Sequence, residues 1–268
     1  MAQSDRLFSH DIARLYDECL GPMLFEPYAE DLAARIAAAR PHDILETAAG
    51  TGLVALKMAS RMPQAKITAT DLNPGMLEVA AAKDDAAAIS WQACDACDLP
   101  FAAERFDVVA CQFGAMFFPD KVQAYGEARR VLRPGGRFIF NAWDDVALSP
   151  VPEAVLDELA EIFPNDPPSF LRRIPHGYHD NQAIAAALCE VGFHDITIDG
   201  LTLPCRVASP RQAARGFCLG TPTRNELEAR EPGGLEAIAS RVEKAIARRF
   251  GTDAFESSMR AYVVTARK

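Results

Sequence analysis

The sequence predicts an α/β fold: a doubly wound, mostly parallel β-sheet covered by helices on both faces. Short apolar runs alternate with helical patterns along residues 42–143, which is the order that βαβ units produce. The stretch 44–59, ILETAAGTGLVALKMA, is a short apolar strand, a turn of small residues and an apolar-periodic helix. That succession predicts a ligand site of nucleotide size where the first strand ends.

The individual elements follow from apolar periodicity and turn residues. One or two helices are expected within residues 5–40, where Leu7, Ile12, Leu15 and Tyr16 have helical spacing, and Gly21-Pro22 is expected to interrupt them. The predicted strands are residues 42–47, 66–70, 89–93, 106–112, 137–143, 194–203 and 258–266. The other predicted helices are residues 51–61, 74–82, 119–131, 150–163, 182–190, 209–219 and 233–249.

Two irregular stretches interrupt the later part of the chain, residues 145–180 and 205–257. They follow the fifth and sixth predicted strands, where the loops of a doubly wound sheet reach the ligand face. Both stretches are therefore the candidate substrate cap. The predicted organisation is a cofactor-binding core at 41–145, followed at 146–268 by cap insertions and the last two strands of the same sheet.

Composition narrows the function classes. The chain has 268 residues, 49% of them hydrophobic, and a net charge of −9, which supplies a large core and disfavours binding to a nucleic acid. Seven scattered cysteines favour reduced thiols, and the single CxxC of Cys94 and Cys97 predicts no metal site. The N-terminal residues lack an apolar signal core and no apolar run approaches membrane-spanning length. We therefore expect a cytoplasmic protein without membrane insertion, with a homodimer as one candidate assembly.

The turn after the first strand has almost no side-chain bulk, so a ligand can approach its backbone closely. Thr51 is expected to cap the following helix, whose positive end faces the ligand. Residues 50–55 fit a GxGxxG/A dinucleotide pattern, but Glu46 beside the turn would repel a pyrophosphate and favour a cationic amino group or a hydroxyl. The small residues are Ala48, Ala49, Gly50 and Gly52.

Two more carboxylates follow the next strands. Asp71 ends the second strand about twenty residues after the turn, where a carboxylate can accept ribose hydroxyls; the alternative is a cap for the helix near Pro74. Asp95, with the Ala96 N–H, could bond an amine and a ring nitrogen. Three acidic positions suit a ligand rich in donors and positive charge better than a pyrophosphate.

At this point the chain resembles the class I S-adenosylmethionine-dependent methyltransferases, in particular the bacterial small-molecule type related to quinone-biosynthesis methyltransferases. The resemblance covers essentially the whole chain and implies a seven-stranded sheet whose last strand is antiparallel, an N-terminal helical lid at residues 1–40, and S-adenosylmethionine as the cofactor. The motifs that carry it are ILETAAGTG, ATDLNPGML, QACDACDLPF, FDVVACQFGAMFFPD and ARRVLRPGGRFIF.

The resemblance also implies roles for single residues. One departure is Ala48, which stands where the motif has its first glycine. Tyr16 in the lid is expected to pack on the cofactor or to bond its carboxylate, and the run 113–118 either walls an acceptor pocket or forms a buried corner. The implied cofactor contacts are Glu46, Ala48, Gly50 and Gly52 for the methionine part, Asp71 and Leu72 for the ribose, Asp95 and Ala96 for the adenine, and Gln112 and Phe113 near the methyl group.

The expected reaction is an in-line methyl transfer to an unidentified small-molecule acceptor at oxygen, carbon or nitrogen. A base is needed only if the acceptor must lose a proton. The candidates are His176 and Asp144, with Tyr178 and His10 behind them. Two alternatives stay open: a non-catalytic relative that binds S-adenosylmethionine, and an NAD(P)-dependent oxidoreductase, which the pocket carboxylates disfavour.

Overall fold

A seven-stranded sheet organises the part of the chain that the structure, a computed structural model, describes, residues 10–268. The order of its strands is β3-β2-β1-β4-β5-β7-β6. Because β1 and β4 are neighbours, the winding direction reverses between them, and this reversal is where doubly wound sheets bind ligands. The strands are β1 Asp43–Glu46, β2 Lys66–Asp71, β3 Ile89–Ala93, β4 Phe106–Gln112, β5 Leu132–Trp143, β6 His194–Val207 and β7 Phe255–Arg267.

Six strands are parallel and β7 is antiparallel, which confirms the predicted fold class. The register pairs Arg137 with Arg267 and Trp143 with Ala261. The register between β4 and β5 shifts between Phe106 and Val108, opposite the first residues of β5, where Gly135 is left-handed. Strand β5 therefore begins earlier than the sequence predicts.

The helices agree with the predicted ones along most of the chain. The exceptions are α7 and α10, two short helices in stretches that carry many turn residues or charges. The helices are α1 His10–Leu15, α2 Glu26–Ala38, α3 Leu53–Arg61, α4 Pro74–Ala81, α5 Lys121–Val131, α6 Pro150–Ile162, α7 Phe170–Arg173, α8 Asn181–Glu190, α9 Pro210–Leu219, α10 Thr223–Arg230 and α11 Leu235–Phe250.

The predicted break at Gly21-Pro22 is wrong. A π-helical segment, Tyr16–Phe25, joins α1 to α2, and Pro22 lies inside it. A proline removes a backbone donor and crowds the preceding turn of an α-helix. The wider π turn accommodates this residue, so the chain stays helical where the sequence suggests an interruption. Leu7 lies outside the described residues.

The chain divides into two compact units. One unit contains the parallel sheet and comprises Tyr28–Trp143, Tyr178–Leu201 and Ala261–Lys268; we call it the sheet unit. The other comprises residues 10–27, Asp144–Gly177 and Thr202–Arg260; we call it the helical unit. The lid and cap assignments made from the sequence stay predictions.

In the sheet unit, alternation along the strands builds two apolar layers. Leu45, Val109 and Phe140 belong to the layer that includes α5 and α8. Ile44 and Ile139 belong to the opposite layer, which includes α2 and α3. Each strand therefore contributes to both layers, and its last residues project at the carboxyl edge of the sheet.

In the helical unit, α9 packs closely against the π-helical segment. A Cβ at Gly216 would collide with the Leu20 side chain and crowd Cys19. Elsewhere in this unit, the buried Glu158 carboxylate accepts from Arg241 and Arg248. The close approach at Gly216 and the carboxylate of Glu158, which two arginines share, hold the helices of this unit together.

Candidate functional site

The turn between β1 and α3 is built from residues in the left-handed conformation. The φ angles are 51° at Ala48, 56° at Gly50 and 80° at Gly52. A Cβ at Gly52 would lie 2.6 Å from the Trp91 ring, so this position requires glycine. The capping role predicted for Thr51 is wrong: the N-cap of α3 is Gly52, without a side-chain bond.

Glu46 ends β1 beside this turn and is completely buried, with 1% of its surface exposed. Its Oε2 atom has no hydrogen-bond partner among residues 10–268. Burial and, next, the Asp71 carboxylate raise the pKa of Glu46 well above its ordinary value. A buried carboxyl group of this kind is suited to a cationic or hydrogen-donating ligand group, which would supply the missing partner.

Asp71 ends β2 and fixes the turn. Its Oδ2 accepts the Gly50 N–H at 2.8 Å, and its Oδ1 accepts the Asn73 N–H at 2.8 Å. Burial raises the pKa of Asp71, while these donors oppose the rise. The Asn73 side-chain amide also donates to Oδ1 at 3.3 Å. Because each carboxylate oxygen has about two acceptor directions, Oδ2 is the oxygen suited to accept a ribose hydroxyl. Leu72 beside it is 45% exposed, unusual for a large apolar residue of this protein.

Asp95 and Ala96 lie at the same carboxyl edge. The Cys94 N–H donates to the Asp71 carbonyl, which places the end of β3 next to the end of β2. Asp95 Oδ1 accepts the Cys97 N–H at 2.8 Å, which leaves its second oxygen for another donor. Burial raises the pKa of the Cys97 thiol to about 11, so this half of the CxxC is a poor nucleophile.

An aromatic cluster occupies the ends of β4 and β5. The rings of Phe113 and Trp143 are stacked at 3.7 Å, and Tyr28 meets both rings edge-on. Phe113 follows Gln112, which ends β4, and has a φ of 51°, a strained value for a bulky residue. The sequence pointed to Phe113 through the resemblance, but Trp143 was missed, because an aromatic residue at the end of an apolar strand gives no signal of its own.

Ala48 also contacts the loop after β4. A Cβ at Gly114 would lie 2.4 Å from the Ala48 Cβ, so the methyl group of Ala48 fills the space that a side chain at 114 would need. The run 113–118 is buried apart from Phe117, as in the buried-corner interpretation. The turn, Asp71, Asp95, Gln112 and Phe113 thus all lie at the carboxyl edge of the sheet unit.

Three sequence-predicted residues belong to the helical unit. Tyr16 stacks on Phe25 at 4.7 Å. His176 is buried, and its Nδ1 lies 2.7 Å from the Asp144 carbonyl oxygen. Since a carbonyl only accepts, Nδ1 carries a proton in this contact.

The Asp144 carboxylate already has two partners. Its Oδ2 accepts from Arg260 Nε at 2.8 Å, and its Oδ1 accepts from the Asp145 N–H at 2.7 Å. Among the other base candidates, Tyr178 lies in the sheet unit, 3.0 Å from the Tyr125 hydroxyl. The His10 side chain lies outside what the structure describes.

Within residues 10–268 no group of three or more histidine, cysteine, aspartate or glutamate side chains is arranged to hold a metal ion. Over the same residues, every helix is too short or too polar to cross a membrane.

Residues 45–140 match a protein family described as a methyltransferase domain. A demethylmenaquinone methyltransferase of Deinococcus radiodurans is 39% identical over 109 residues, which are 40% of this chain and 45% of the relative. A ubiquinone/menaquinone biosynthesis C-methyltransferase of Dinoroseobacter shibae is 30% identical over 176 residues, which are 59% of this chain and 69% of the relative. The chain spans only 36 to 50% of the length of the first three curated relatives it matches.

A solved structure resembles nearly the whole chain. The [4+2]-cyclase SpnF superposes with a TM-score of 0.64, at 18% identity, over 99% of this chain and 96% of the other. At this identity the similarity shows the fold alone.

Proposed function

The chain belongs to the class I S-adenosylmethionine-dependent methyltransferases, and from this we propose that it transfers a methyl group from S-adenosylmethionine to a small-molecule acceptor. The observation that carries the proposal is Glu46. Its buried carboxyl lacks a partner for Oε2 among the described residues and lies near Asp71. A ligand with a positive charge satisfies this group, whereas a dinucleotide pyrophosphate would be repelled.

The residues at the carboxyl edge fit the parts of S-adenosylmethionine. Glu46 and the turn of Ala48, Gly50 and Gly52 suit the cationic methionine end, because nothing lies within 4 Å of the place where Gly50 would carry a side chain. Asp71 is the acceptor for ribose hydroxyls, with Leu72 as its exposed apolar neighbour. We assign the adenine to Asp95 and Ala96, the methyl side to Gln112 and Phe113, and a further cofactor contact to Tyr16.

When bound, the cofactor supplies an electrophilic methyl group on a sulfonium. The contribution of the protein is orientation, because alignment of the nucleophile can lower the barrier by roughly 7 kcal/mol or more in favourable cases. The stacked Phe113 and Trp143 rings form a rigid apolar wall with Tyr28. Such a wall keeps the reacting groups in one orientation and excludes water.

We assign the role of base to His176 for an acceptor that must lose a proton. Its Nδ1 lies against the Asp144 carbonyl, so Nε2 is the ring atom to which we assign the proton transfer. Asp144 was an alternative base, but its carboxylate is engaged by Arg260. We therefore assign Asp144 a positioning role. Its backbone carbonyl orients the His176 imidazole, and the ion pair with Arg260 holds Asp144 in position.

Acceptors of the quinol and phenol type are the first to test, because one relative is named a demethylmenaquinone methyltransferase and another a ubiquinone/menaquinone biosynthesis C-methyltransferase. Phenols and activated ring carbons must lose a proton, whereas an amine can be bound already neutral. With a true phenolic acceptor, His176→Ala should lower kcat by about 100-fold or more. The exposed His194 provides a control, and His194→Ala should leave kcat unchanged. An unchanged kcat in His176→Ala would contradict the assignment of His176 as the base.

The donor assignment is tested by thermal shift. S-adenosylmethionine and S-adenosylhomocysteine should raise Tm, and NADH should not. Asp71→Ala should weaken S-adenosylhomocysteine binding about tenfold or more, while Asp98→Ala, an exposed carboxylate nearby, should not. A rise in Tm with NADH alone would contradict the proposal. Donor binding without transfer from labelled donor to any phenol, quinol or amine would favour the non-catalytic alternative.

A further inference from the structure

A cavity lies in the sheet unit at the amino edge of the sheet, opposite the edge that carries the candidate cofactor site. Its volume is about 370 Å³, within the range of roughly 300–1,000 Å³ that small-molecule sites have. It is bounded by the segment before β1, the start of β5 and the end of β7. Because β1 begins at Asp43 and ends at Glu46, a ligand here would not touch the turn or Asp71.

The lining of this cavity is basic although the chain is acidic. Four arginines line it, with one carboxylate, Asp107, in a protein of net charge −9. The cavity lining therefore carries a positive charge, opposite in sign to the net charge of the protein. The four are Arg40, Arg133, Arg137 and Arg267.

Arg133 and Asp107 serve the fold. Arg133 donates to Asp107 at 2.6 Å and to Asp43 at 2.9 Å. The other oxygen of Asp107 accepts the backbone N–H groups of His42 and Asp43. These groups satisfy one another and hold β1, β4 and β5 together. The structural role of Arg133 therefore does not explain why the other three arginines lie at the same cavity.

Arg40 and Arg137 have no ion pair or side-chain hydrogen bond with any residue of the described chain, 10–268. Arg267 has one distant partner, Asp195 at 3.8 Å, with both side chains about half exposed or more. An exposed pair of this kind contributes little. Three guanidinium groups thus border one cavity without a strong internal partner. Their planar forks match the oxygens of a phosphoryl group, to which they donate in pairs.

We propose that this amino-edge cavity binds a small ligand carrying one or two phosphoryl groups, held by Arg40, Arg137 and Arg267. The site is separate from the methyl-transfer site and does not depend on the proposed function. Two or more negative charges on the ligand are needed to engage three cations, which favours phosphoryl groups over a single carboxylate.

The test is calorimetric titration of the full chain with pyrophosphate, inorganic phosphate and citrate at low ionic strength. We expect saturable binding, tightest for pyrophosphate, and an affinity about tenfold lower in Arg40→Ala/Arg137→Ala. Arg40→Lys/Arg137→Lys keeps the charge and loses the fork, so it should retain only part of the affinity. The control is Arg206→Ala/Arg211→Ala, which removes the same charge from exposed positions outside the cavity and should bind pyrophosphate within about twofold of the wild type.

Three results would overturn the proposal: no saturable binding, equal binding by the Arg40→Ala/Arg137→Ala variant, or tighter binding of citrate than of pyrophosphate. Saturating S-adenosylhomocysteine separates the two sites, since it should leave the pyrophosphate affinity unchanged. Displacement by it would place the anion in the cofactor site instead. Neither arginine supports another residue, so both variants should keep the wild-type Tm; if the alanine variant fails to fold, the lysine variant decides.

Discussion

Ala48 combines a strained backbone with a place in the candidate site. An alanine at φ 51° is less stable than a glycine by about 1 kcal/mol. Ala48→Gly should therefore raise the free energy of unfolding by up to that amount in urea titrations. The control is the adjacent Ala49→Gly, which removes a buried methyl group where the φ angle is not positive and should destabilise the protein. Equal destabilisation by both variants would contradict the strain argument.

Glu46 makes stability depend on pH. Its pKa is raised in the folded protein above the ordinary value of 4.5. The unfolded chain then ionises this group first, so the stability it contributes is complete below pH 4.5 and is lost as the pH rises toward the folded pKa. Glu46→Gln cannot ionise, and we expect the stability of the ligand-free wild type to fall relative to this variant between pH 4.5 and 8 in denaturant titrations. A constant difference would contradict the assignment.

The same carboxyl group should couple ligand binding to proton release. A cation placed beside Glu46 favours its ionised form, so binding of S-adenosylmethionine expels a proton. Calorimetry in buffers of different ionisation enthalpy measures this release. We expect it in the wild type and not in Glu46→Gln; release of the same size in both would point to another group.

At the scale of elements, two glycines in helices should respond in opposite directions. Gly216 in α9 lies against Leu20, so Gly216→Ala overpacks the contact with the π-helical segment and should destabilise by about 2 kcal/mol. A Cβ added at Gly126 in α5 would lie 3.9 Å from the Val191 side chain, an ordinary contact distance. Gly126→Ala should stabilise by roughly 0.5–1 kcal/mol, because alanine favours the helix. Chemical denaturation measures both, and loss of stability at both sites would show that α5 does not tolerate the methyl group.

The elements also show where sequence reasoning succeeds and fails. The strands β1 to β4 and helices α3 to α5 were predictable because each buries an apolar stripe or run of regular period. The π-helical segment was not, since Gly21-Pro22 is a break signal that a wider helical turn overrides. At the turn, the small residues were predictable, but the N-cap at Gly52 depends on a φ of 80° that no pattern reveals.

For the whole molecule, we expect the segment Tyr28–Trp143 of the sheet unit to be unable to fold alone. Residues 28–143 lack Tyr178–Leu201 and Ala261–Lys268, which belong to the same compact unit. Without β7, the apolar β5 would become an exposed edge strand, which promotes aggregation. The fragment should therefore show no cooperative thermal unfolding by circular dichroism and should elute as aggregate, with the full chain as control. A monomeric fragment with a sharp transition would contradict this expectation.

At this scale the family and fold were predictable because several motifs occur in the right order, and both predictions are confirmed. The two neighbouring carboxylates of the candidate site, Glu46 and Asp71, were predictable because each residue lies at the end of a predicted strand. Trp143 and the tautomer of His176 could not be foreseen, because each depends on contacts between residues far apart in sequence. The division into two units, each made of several chain segments, likewise has no local signal.

The position of β7 between β5 and β6 governs when the protein can finish folding during synthesis. Strand β6 leaves the ribosome first, but the strand that joins it to β5 follows only after α9, α10 and α11 have been made. At roughly 5–20 residues per second, that interval lasts on the order of seconds. Throughout it the nascent chain exposes the unpaired edge of β5, so chaperones that shield strand edges should act on this protein before its last strand emerges.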